Sequence, residues 1–416
     1  MPRTFHIVGA GLAGLSAAAE LAGAGERVAI YEAAGFAGGR CRSYDDPVIG
    51  MTIDNGNHLL LSGNGAVLQY LRRIGAEQSL VGPANSEYAF VDLATGERWT
   101  LQINDGRFPF WIFDPRKRVP KTRVRDYVAF GRLLAAVNGA AVGDVIDCSG
   151  ALYQRLLGPL LRAALNIDPR CGSAKLARAI ARETLAAGGR ACRPMIARDG
   201  LARALVDPAV SSLKEQGAKL QFSRRLSGLA FDGGAVRALA FDGAAPEIGR
   251  CDVVILAVPP IEAAALLPGL RVPTEFSPIV NAHFRVAPPP SLPLLTAIVN
   301  GTAEWIFAFP DRISVTISAA NHIIDEPREI LAQKIWSDVA RVTGLPGKAP
   351  PWQIVRERRA TFAATPSQEK LRPGAKTAWR NLFIAGDWTD TGLPATMEGA
   401  VRSGIRAARL AQQPDS

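Results

Sequence analysis

The N-terminal stretch TFHIVGAGLAGLSAAAELAGAGERVAIYE is the feature that most restricts what this chain can fold into. Its apolar runs and glycines predict a buried strand, a tight turn, a helix and a second strand, namely Thr4–Val8, the turn from Gly9, Leu12–Ala22 and Arg27–Tyr31. The turn is a G-x-G-x-x-G sequence: Gly9 permits the turn, Gly11 admits a pyrophosphate and Gly14 lets helix and strand pack closely. This unit predicts a dinucleotide at the helix N-terminus, where free N–H groups and partial positive charge favour phosphate.

The residues after the second strand indicate which dinucleotide binds. Glu32 directly follows that strand, where a carboxylate can accept hydrogen bonds from both ribose hydroxyls. An acid there, instead of an arginine, argues against a 2′-phosphate and therefore against NADP. The sequence GFAGGRCRS adds a second glycine turn with Gly38, Gly39 and Arg40, whose planar guanidinium suits a phosphate. NAD enzymes have no need of this second turn, so the sequence favours FAD.

Both termini resemble the flavoprotein superfamily of amine oxidases, protoporphyrinogen oxidases and phytoene desaturases. The N-terminal motif with Arg40 carries one half of the resemblance, and the C-terminal stretch NLFIAGDWTDTGLPATMEGAVRSG carries the other. The resemblance implies that Arg40 lies near the FAD pyrophosphate, that Asp387 binds the ribityl chain, and that a helix from about Thr396 points its N-terminus at the flavin. We therefore expect non-covalent FAD, bound by Gly9, Gly11, Ala13, Gly14, Glu32, Gly39, Arg40, Leu226, Gly386, Asp387 and Met397.

The other elements expected in the cofactor domain are spread along the chain. They are a helix at 202–216, a strand at 219–222, a hairpin at 225–243 turning at Asp232-Gly233-Gly234, and a buried strand within 252–260. The predicted fold class is α/β, with a Rossmann-like FAD-binding domain of the glutathione-reductase type built from the discontinuous segments 1–85, 196–264 and 371–416. Segments 86–195 and 265–370 are expected to form an α+β substrate-binding domain. The sequence has no second G-x-G-x-x-G, so we expect no NAD(P)H domain and an external electron donor.

Three features narrow the resemblance to the hydroxysqualene dehydroxylases among the phytoene desaturase relatives. They are the sequence DNGNH at residues 54–58, the sequence GDWTDTGLPATMEGAVRSG at residues 386–404, and the length of 416 residues. This resemblance spans essentially the whole chain and implies reductive removal of the hydroxyl of hydroxysqualene by reduced FAD, giving squalene in bacterial squalene and hopanoid synthesis. His58 is the candidate catalytic residue, as the acid or as a group that orients substrate at the flavin. The alternative is a histidine bonded to backbone within a turn, and Asp54 is interpreted as a turn-capping residue.

Two other functions stay open at this stage. The first is another oxidoreductase of the superfamily, resembling a phytoene desaturase or an amine oxidase, which amine and polyprene assays would separate. The second is a prenyl-binding escort protein without redox chemistry, which a flavin spectrum would exclude. Escort proteins lack an intact FAD site, whereas this chain keeps the residues listed above for FAD.

Charge and aromatic residues point to the surface of a membrane as a partner. The net charge is +10, and residues 107–132 hold eight basic and two acidic residues beside the apolar run FPFWIF at 108–113. Aromatic residues beside a basic cluster are typical of proteins that rest on an anionic bilayer, although a core strand followed by a solvated basic loop is an equal alternative. We expect a cytoplasmic protein on the inner face of the cytoplasmic membrane, without nucleic acid. The five scattered cysteines suggest no metal site and no disulfide framework.

Overall fold

The computed structural model describes residues 3–241 and 248–413. Within these residues the strands, in chain order, are β1 (Thr4–Val8), β2 (Arg27–Tyr31), β3 (Ser43–Asp46), β4 (Met51–Asp54), β5 (Leu60–Leu61), β6 (Leu80–Val81), β7 (Ser86–Asp92), β8 (Arg98–Ile103), β9 (Pro194–Ala197), β10 (Lys219–Gln221), β11 (Leu226–Asp232), β12 (Ala235–Phe241), β13 (Val253–Leu256), β14 (Phe276–Phe284), β15 (Leu295–Val299), β16 (Trp305–Ala308), β17 (Ile313–Ile317), β18 (Trp352–Phe362) and β19 (Leu382–Ile384). The α-helices are α1 (Leu12–Ala22), α2 (Gly65–Arg73), α3 (Val128–Leu134), α4 (Val142–Val145), α5 (Gly158–Leu165), α6 (Ala174–Glu183), α7 (Asp207–Glu215), α8 (Pro260–Leu266), α9 (Arg328–Thr343), α10 (Pro366–Glu369) and α11 (Met397–Gln412).

A five-stranded sheet contains the N-terminal unit. Its strand order is β10-β2-β1-β13-β19, and every neighbouring pair is parallel. The strands come from the N-terminal, middle and C-terminal parts of the chain. The predicted α/β fold class with a Rossmann-like domain is confirmed, and the boundaries of the two domains stay a prediction.

The two faces of this sheet are covered by different elements. Phe5 and Ile7 of β1 pack in one apolar cluster with α1, α7 and α11, while Val8 belongs to the cluster on the other face. The antiparallel hairpin β11–β12 supplies Val236 and Leu239 to that second cluster. A parallel sheet is stable when both faces are buried in this way. The predicted hairpin turn is found, with positive φ at Gly233 and Gly234, and residues 242 and 243 of the prediction lie outside the described residues.

A larger sheet forms the second layer of the molecule. Its order is β18-β14-β17-β16-β15-β7-β8, and the β15–β7 pair is parallel while the other pairs are antiparallel. Alternate residues point to opposite faces: Val280 and Ala282 of β14 are buried against α9, whereas Ile279 and Asn281 line an internal cavity. One face of this sheet is therefore core, and the other is a wall of the cavity.

Two local elements can be compared with the sequence-based predictions. The helix expected at 202–216 is present as one unbroken helical run at 201–215, with π-helical geometry at Ala202–Val206 before α7 from Asp207. Pro208 has no N–H to donate to an earlier carbonyl, which favours the irregular hydrogen bonding of the turn before it. The run 108–113 is not a core strand, because it contains a single 3₁₀ turn, Phe110–Ile112. In the described part of the chain, no helix is long and apolar enough to cross a membrane.

Candidate active site

A cavity of about 840 Å³ lies between the parallel sheet and the larger sheet. All but one of the residues predicted for the cofactor and for catalysis line it, namely Gly9, Gly11, Ala13, Glu32, Gly39, Arg40, His58, Leu226, Gly386, Asp387 and Met397. The exception is Gly14, which packs behind the turn. The fold therefore brings residues from both ends of the chain to one place, at the carboxyl ends of β1 and β2, where ligands bind in open parallel sheets.

The three glycines of the first turn have the geometries predicted for them. Gly9 has a φ of +103°, and a Cβ there would lie 2.4 Å from the Ala257 carbonyl oxygen. A Cβ on Gly14 would lie 1.9 Å from the Gly9 oxygen, so helix and strand could not pack as they do. Gly11 lines the cavity, and nothing stands within 4 Å of its Cβ position. Its bare backbone leaves room for a ligand to approach α1.

Glu32 is held at the cavity by the backbone around it. Its Oε2 accepts a hydrogen bond from Ala10 N–H at 2.7 Å, and its Oε1 accepts one from Ala34 N–H at 2.8 Å. Each carboxylate oxygen can accept a further hydrogen bond. The carboxylate is thus positioned by its own turn and can still accept bonds from the two hydroxyls of a ribose.

Arg40 and Asp387 join the two ends of the chain within the cavity. Arg40 Nη2 donates to Asp387 Oδ1 at 2.7 Å and to Oδ2 at 2.8 Å, and Nη1 donates to the Ala360 carbonyl. The Asp387 carboxylate raises the pKa of Arg40 further above its ordinary value. A fixed cation and a carboxylate that face the same space fit a ligand with both phosphate and hydroxyl groups.

Helix α11 begins at the cavity, as predicted from the C-terminal sequence. Thr396 is its N-cap, and the Thr396 side chain accepts a hydrogen bond from Gly399 N–H at 3.0 Å. The Ser403 hydroxyl accepts a bond from Gly386 N–H at 2.8 Å, which holds the helix to the end of β19. Met397, the first helical residue, lines the cavity. The partial positive charge of the helix N-terminus therefore acts on whatever lies there.

The residues of this end of the cavity fit a flavin dinucleotide. A bare Gly11, a cation at Arg40, and the N-termini of α1 and α11 are all suited to negative charge, and Glu32 is suited to a ribose. The geometry of the turns and helices thus places the motif residues at one end of one cavity.

His58 lies on the cavity wall and is partly buried. Burial lowers the pKa of His58 to about 4, and the nearby Arg40 cation acts in the same direction. The imidazole is therefore neutral at neutral pH, which argues against His58 as the proton donor. His58 lines the cavity, so its second predicted role, orienting the substrate, stays a prediction.

Asp54 is a structural residue, though not the local turn cap that the sequence suggested. It is buried, and its Oδ1 accepts hydrogen bonds from the Ser43 hydroxyl at 2.6 Å and from Leu201 N–H at 2.9 Å. Both partners are distant in sequence, so Asp54 ties the β3–β4 hairpin to the start of the helical segment at 201. Burial raises the pKa of Asp54, while the bonds from Ser43 and Leu201 oppose that rise.

A polar cluster on the cavity wall was missed by the sequence analysis. The Thr316 hydroxyl donates to Asn281 Oδ1 at 2.8 Å, and Asn57 Nδ2 donates to Thr316 Oγ1 at 3.1 Å. The buried Asn57 Oδ1 has no hydrogen-bond partner among the described residues. Asn57 belongs to the quoted DNGNH stretch, but Asn281 and Thr316 are paired only by the register of β14 and β17. No local pattern could have joined them.

Apolar side chains form most of the wall away from the cofactor end. They come from α3, α5, the segment before α5 and the larger sheet, and include Phe130, Leu133, Leu157, Leu160, Leu161 and Trp305. Such a wall excludes water and suits a long hydrocarbon.

The aromatic run at 108–113 divides between core and surface. Phe108, Phe110 and Phe113 are exposed at 57%, 66% and 54%, whereas Trp111 and Ile112 are buried. The expectation that the whole run meets a membrane is therefore wrong for Trp111 and Ile112. Phe108 packs against both other phenylalanines, with ring centroids 4.7 and 5.9 Å apart. Exposed Val124 and Val128 lie across a groove from them. We call Phe108, Phe110, Phe113, Val124 and Val128 the apolar patch.

Comparisons with known proteins identify the family and the fold of the chain. The family described as flavin containing amine oxidoreductase matches residues 12–411. The hydroxysqualene dehydroxylase of Rhodopseudomonas palustris is 56% identical over 411 residues, which cover 99% of this chain and 98% of that protein. The hydroxysqualene dehydroxylase of Sinorhizobium fredii is 54% identical over 99% of both chains. The solved structure of cyclohexylamine oxidase from Brevibacterium oxydans IH-35A, 14% identical over 99% of both chains, has a TM-score of 0.73 and shows a shared fold.

Proposed function

The chain belongs to the flavin containing amine oxidoreductases and, within them, to the hydroxysqualene dehydroxylases, and from this membership we propose that it removes the hydroxyl of hydroxysqualene to give squalene. The family implies a flavin cofactor and a polyprenyl substrate. One observation carries the proposal: a single cavity joins a dinucleotide-type end to a long apolar wall.

FAD is the flavin that we propose for this cavity. Its adenosine ribose would meet Glu32, its pyrophosphate would lie at Gly11 and the α1 N-terminus, and its isoalloxazine would lie beside Asp387 and the start of α11. The N-terminus of α11 would stabilise negative charge on the reduced ring. The reducing electrons would come from an external donor, because the sequence contains one G-x-G-x-x-G motif.

The proposed reaction requires the protein to position the alcohol, to deliver a proton and to exclude water. The C–O bond of an allylic alcohol breaks once its oxygen is protonated, which leaves water and a delocalised cation. The reduced flavin supplies the hydride that forms the new C–H bond, so one proton and one hydride convert the alcohol into squalene and water. The chain must position the alcohol, deliver the proton and keep bulk water from the cation, and the apolar wall at Leu133, Leu157 and Leu161 supports the last role.

The test is anaerobic turnover in D₂O by protein whose flavin has been chemically reduced. We expect oxidation of the flavin on adding hydroxysqualene, and squalene with one deuterium, because the transferable hydrogen of reduced flavin exchanges with solvent. Free reduced FAD is the control. No squalene from fully reduced protein would contradict the proposal, and turnover of phytoene or an amine instead would favour another oxidoreductase of the superfamily. Protein without a flavin spectrum would favour the prenyl-binding escort function.

A membrane surface is the partner that we propose for the apolar patch. Exposed basic residues lie in the same stretch of the chain, namely Arg116, Lys117, Lys121, Arg123, Arg125 and Arg132. Each basic residue near an anionic surface contributes ~1 kcal/mol, and exposed aromatic side chains add apolar contact with the lipid. This combination supports peripheral attachment to the inner face of the cytoplasmic membrane.

Helix α3 links the patch to the cavity. Val128 of this helix belongs to the patch, and Gly131 and Arg132 line the same outer groove. Phe130 and Leu133, on the other side of α3, line the internal cavity. A polyprene that leaves the bilayer at the patch would therefore cross one helix to reach the cavity, which supports entry of the substrate at α3.

A further inference from the structure

The proposed reaction needs a proton donor that faces the apolar part of the cavity. His58 is a poor donor because its pKa is lowered to about 4. Glu183 and Glu398 line the cavity but share Arg402, with oxygen to nitrogen distances of 2.9 and 3.1 Å. The donor must therefore be sought among other groups on the wall or in contact with a residue of the wall.

Glu304 is a partly buried residue in the turn before β16, next in the sequence to Trp305, which lines the cavity. Its Oε2 accepts a hydrogen bond from Ser318 N–H at 2.7 Å, and its Oε1 lies 3.6 Å from Arg162 Nε of α5. Burial raises the pKa of Glu304 to about 7, while the interactions with Ser318 and the charge of Arg162 oppose the rise. Arg162 is the charged group that acts on Glu304 among the described residues. Near neutral pH this carboxyl therefore holds a proton part of the time.

Ser318 both contacts Glu304, through its backbone N–H, and lines the cavity. It follows the end of β17 and lines the cavity, as does Thr316 two residues earlier. Residues two apart in a strand share a face, so the hydroxyls of Thr316 and Ser318 follow one another along the same wall. Thr316 is hydrogen-bonded to Asn281 and Asn57, which makes this strip the polar part of the wall opposite the leucines.

The backbone beside Ser318 is held in an uncommon conformation. Ala319 and Asn166 both have left-handed backbones, with φ of +49° and +50°. Asn166 Oδ1 accepts a hydrogen bond from Ala319 N–H at 2.7 Å, and Asn166 Nδ2 donates to the Ser277 carbonyl and the Thr361 hydroxyl. Such conformations cost free energy outside glycine and persist where surrounding bonds enforce them, often at functional sites. Here they hold the backbone directly after Ser318, whose own N–H donates to the Glu304 carboxyl.

We propose that Glu304 is the proton reservoir for removal of the substrate hydroxyl, and that Ser318 is the catalytic residue that passes the proton. This inference rests on the proposed function. The Ser318 O–H proton moves to the substrate hydroxyl while the Glu304 carboxyl re-protonates Ser318. The C–O bond then breaks and releases water, and solvent returns a proton to the Glu304 carboxylate. The bound reduced flavin would supply the hydride for the new C–H bond.

The pH profile of hydroxysqualene turnover by the reduced holoenzyme tests this assignment. Only the protonated carboxyl can donate, so the wild-type rate should fall about tenfold per pH unit above about pH 7. Glu304→Gln should lose roughly 10²- to 10⁴-fold in rate and lose this limb, as expected for removal of a general acid. Glu304→Asp should recover part of the rate, and its rate should begin to decline at a different pH. Ser318→Ala should turn over slowly although Glu304 is present. Glu326→Gln, at an exposed pair with Lys334, is the matched control and should behave as wild type.

A second measurement does not depend on turnover. Infrared difference spectra of the flavin-loaded protein between pH 6 and pH 8 should show a carboxyl band that Glu304→Gln removes and Ser318→Ala keeps. A wild-type rate and an unchanged limb in Glu304→Gln would overturn the inference alone. The inference would also be overturned if Glu357→Gln, at one of the carboxyl groups that line the cavity, lost the decline in rate above pH 7 while Glu304→Gln kept it. Absence of squalene with wild-type protein would overturn the proposed function and this inference together.

Discussion

Glu32 and Asp387 act at the scale of single residues, one near each end of the chain. Glu32 is held by two backbone N–H groups, and Asp387 by the guanidinium of Arg40. Both carboxylates face the same cavity. Because these hydrogen bonds already hold each carboxylate in place, it is positioned to bind a ligand. The Glu32 position follows from the local turn, whereas the Asp387 position depends on the packing of β19 beside β13.

Replacing Glu32 by Ala should weaken FAD binding at least about tenfold. Hydrogen bonds to a charged group contribute about 1.5–3 kcal/mol each, and the substitution also leaves Ala10 N–H and Ala34 N–H without their acceptor. Quenching of flavin fluorescence gives the dissociation constant, and Glu32→Gln, which keeps one acceptor oxygen, should lie between. If Glu32→Ala and Asp387→Ala proteins both purify fully loaded with FAD, the assigned cofactor site is wrong.

At the scale of elements, the segment from 108 to α3 contributes some side chains to the core and others to the surface. Trp111 is buried edge-on against Tyr127, with ring centroids 5.4 Å apart, and anchors the segment. The phenylalanines on either side of it are left at the surface. Among the basic residues, Arg118 is half-buried and donates to the Ile112 carbonyl, so it is a poor probe of lipid binding.

The double substitution Phe108→Ser with Phe113→Ser should weaken binding to anionic vesicles even at high salt. Full burial of each ring contributes about 1.5–3 kcal/mol, so a loss of tenfold or more is expected in a sedimentation assay. Charge reversal at Lys117, Arg123 and Arg125 should instead abolish the binding that is seen at low salt.

Ile330→Ser on α9 is the control, since Ile330 is also exposed, at 51%, but lies outside the patch. It should bind vesicles as wild type, and none of these proteins should lose the flavin spectrum. If the patch variants sediment like wild type, the substrate enters elsewhere.

For the whole molecule, buried titratable groups link stability to pH in opposite directions. Burial lowers the pKa of His283 to about 3, with the Arg312 cation adding to the effect, and that of His58 to about 4. Below pH 6.5 these histidines therefore bind protons in the unfolded chain but not in the folded protein. The free energy of unfolding falls as the pH decreases from 6.5. Glu304, with its pKa raised to about 7, binds a proton in the folded state between pH 4.5 and 7 and opposes that loss.

The Glu304→Gln protein should therefore lose thermal stability more steeply than wild type between pH 6.5 and 5. Above pH 7 it should gain relative to wild type, because a neutral amide avoids the cost of burying a charge. His283→Gln should show a flatter acid side. Melting temperatures of the flavin-loaded proteins at pH 5, 6, 7 and 8 measure these differences, and the comparison with wild type cancels the other carboxylates. Parallel curves for all three proteins would contradict the pKa directions.

The sequence by itself determined the elements whose contacts are local. The first strand, turn, helix and second strand follow from apolar periodicity and from glycines that only a turn of this kind requires, and Glu32 follows from its place after β2. The α11 start at Thr396 and the hairpin turn at Gly233-Gly234 are also local, and the structure has them where the sequence predicts them.

The tertiary structure alone decided which residues meet across the cavity. Asn281 meets Thr316 through the register of β14 and β17, and Glu304 meets Ser318 through the antiparallel pairing of β16 with β17. Arg40 meets Asp387 across the parallel sheet. It also decided that Trp111 is core while its neighbours are surface, and that Asp54 binds Ser43 and Leu201. The physical reason is the same in each case. Burial and pairing of these residues depend on packing against segments that are distant in the sequence, and the local pattern of apolar residues does not reveal which distant segment that is.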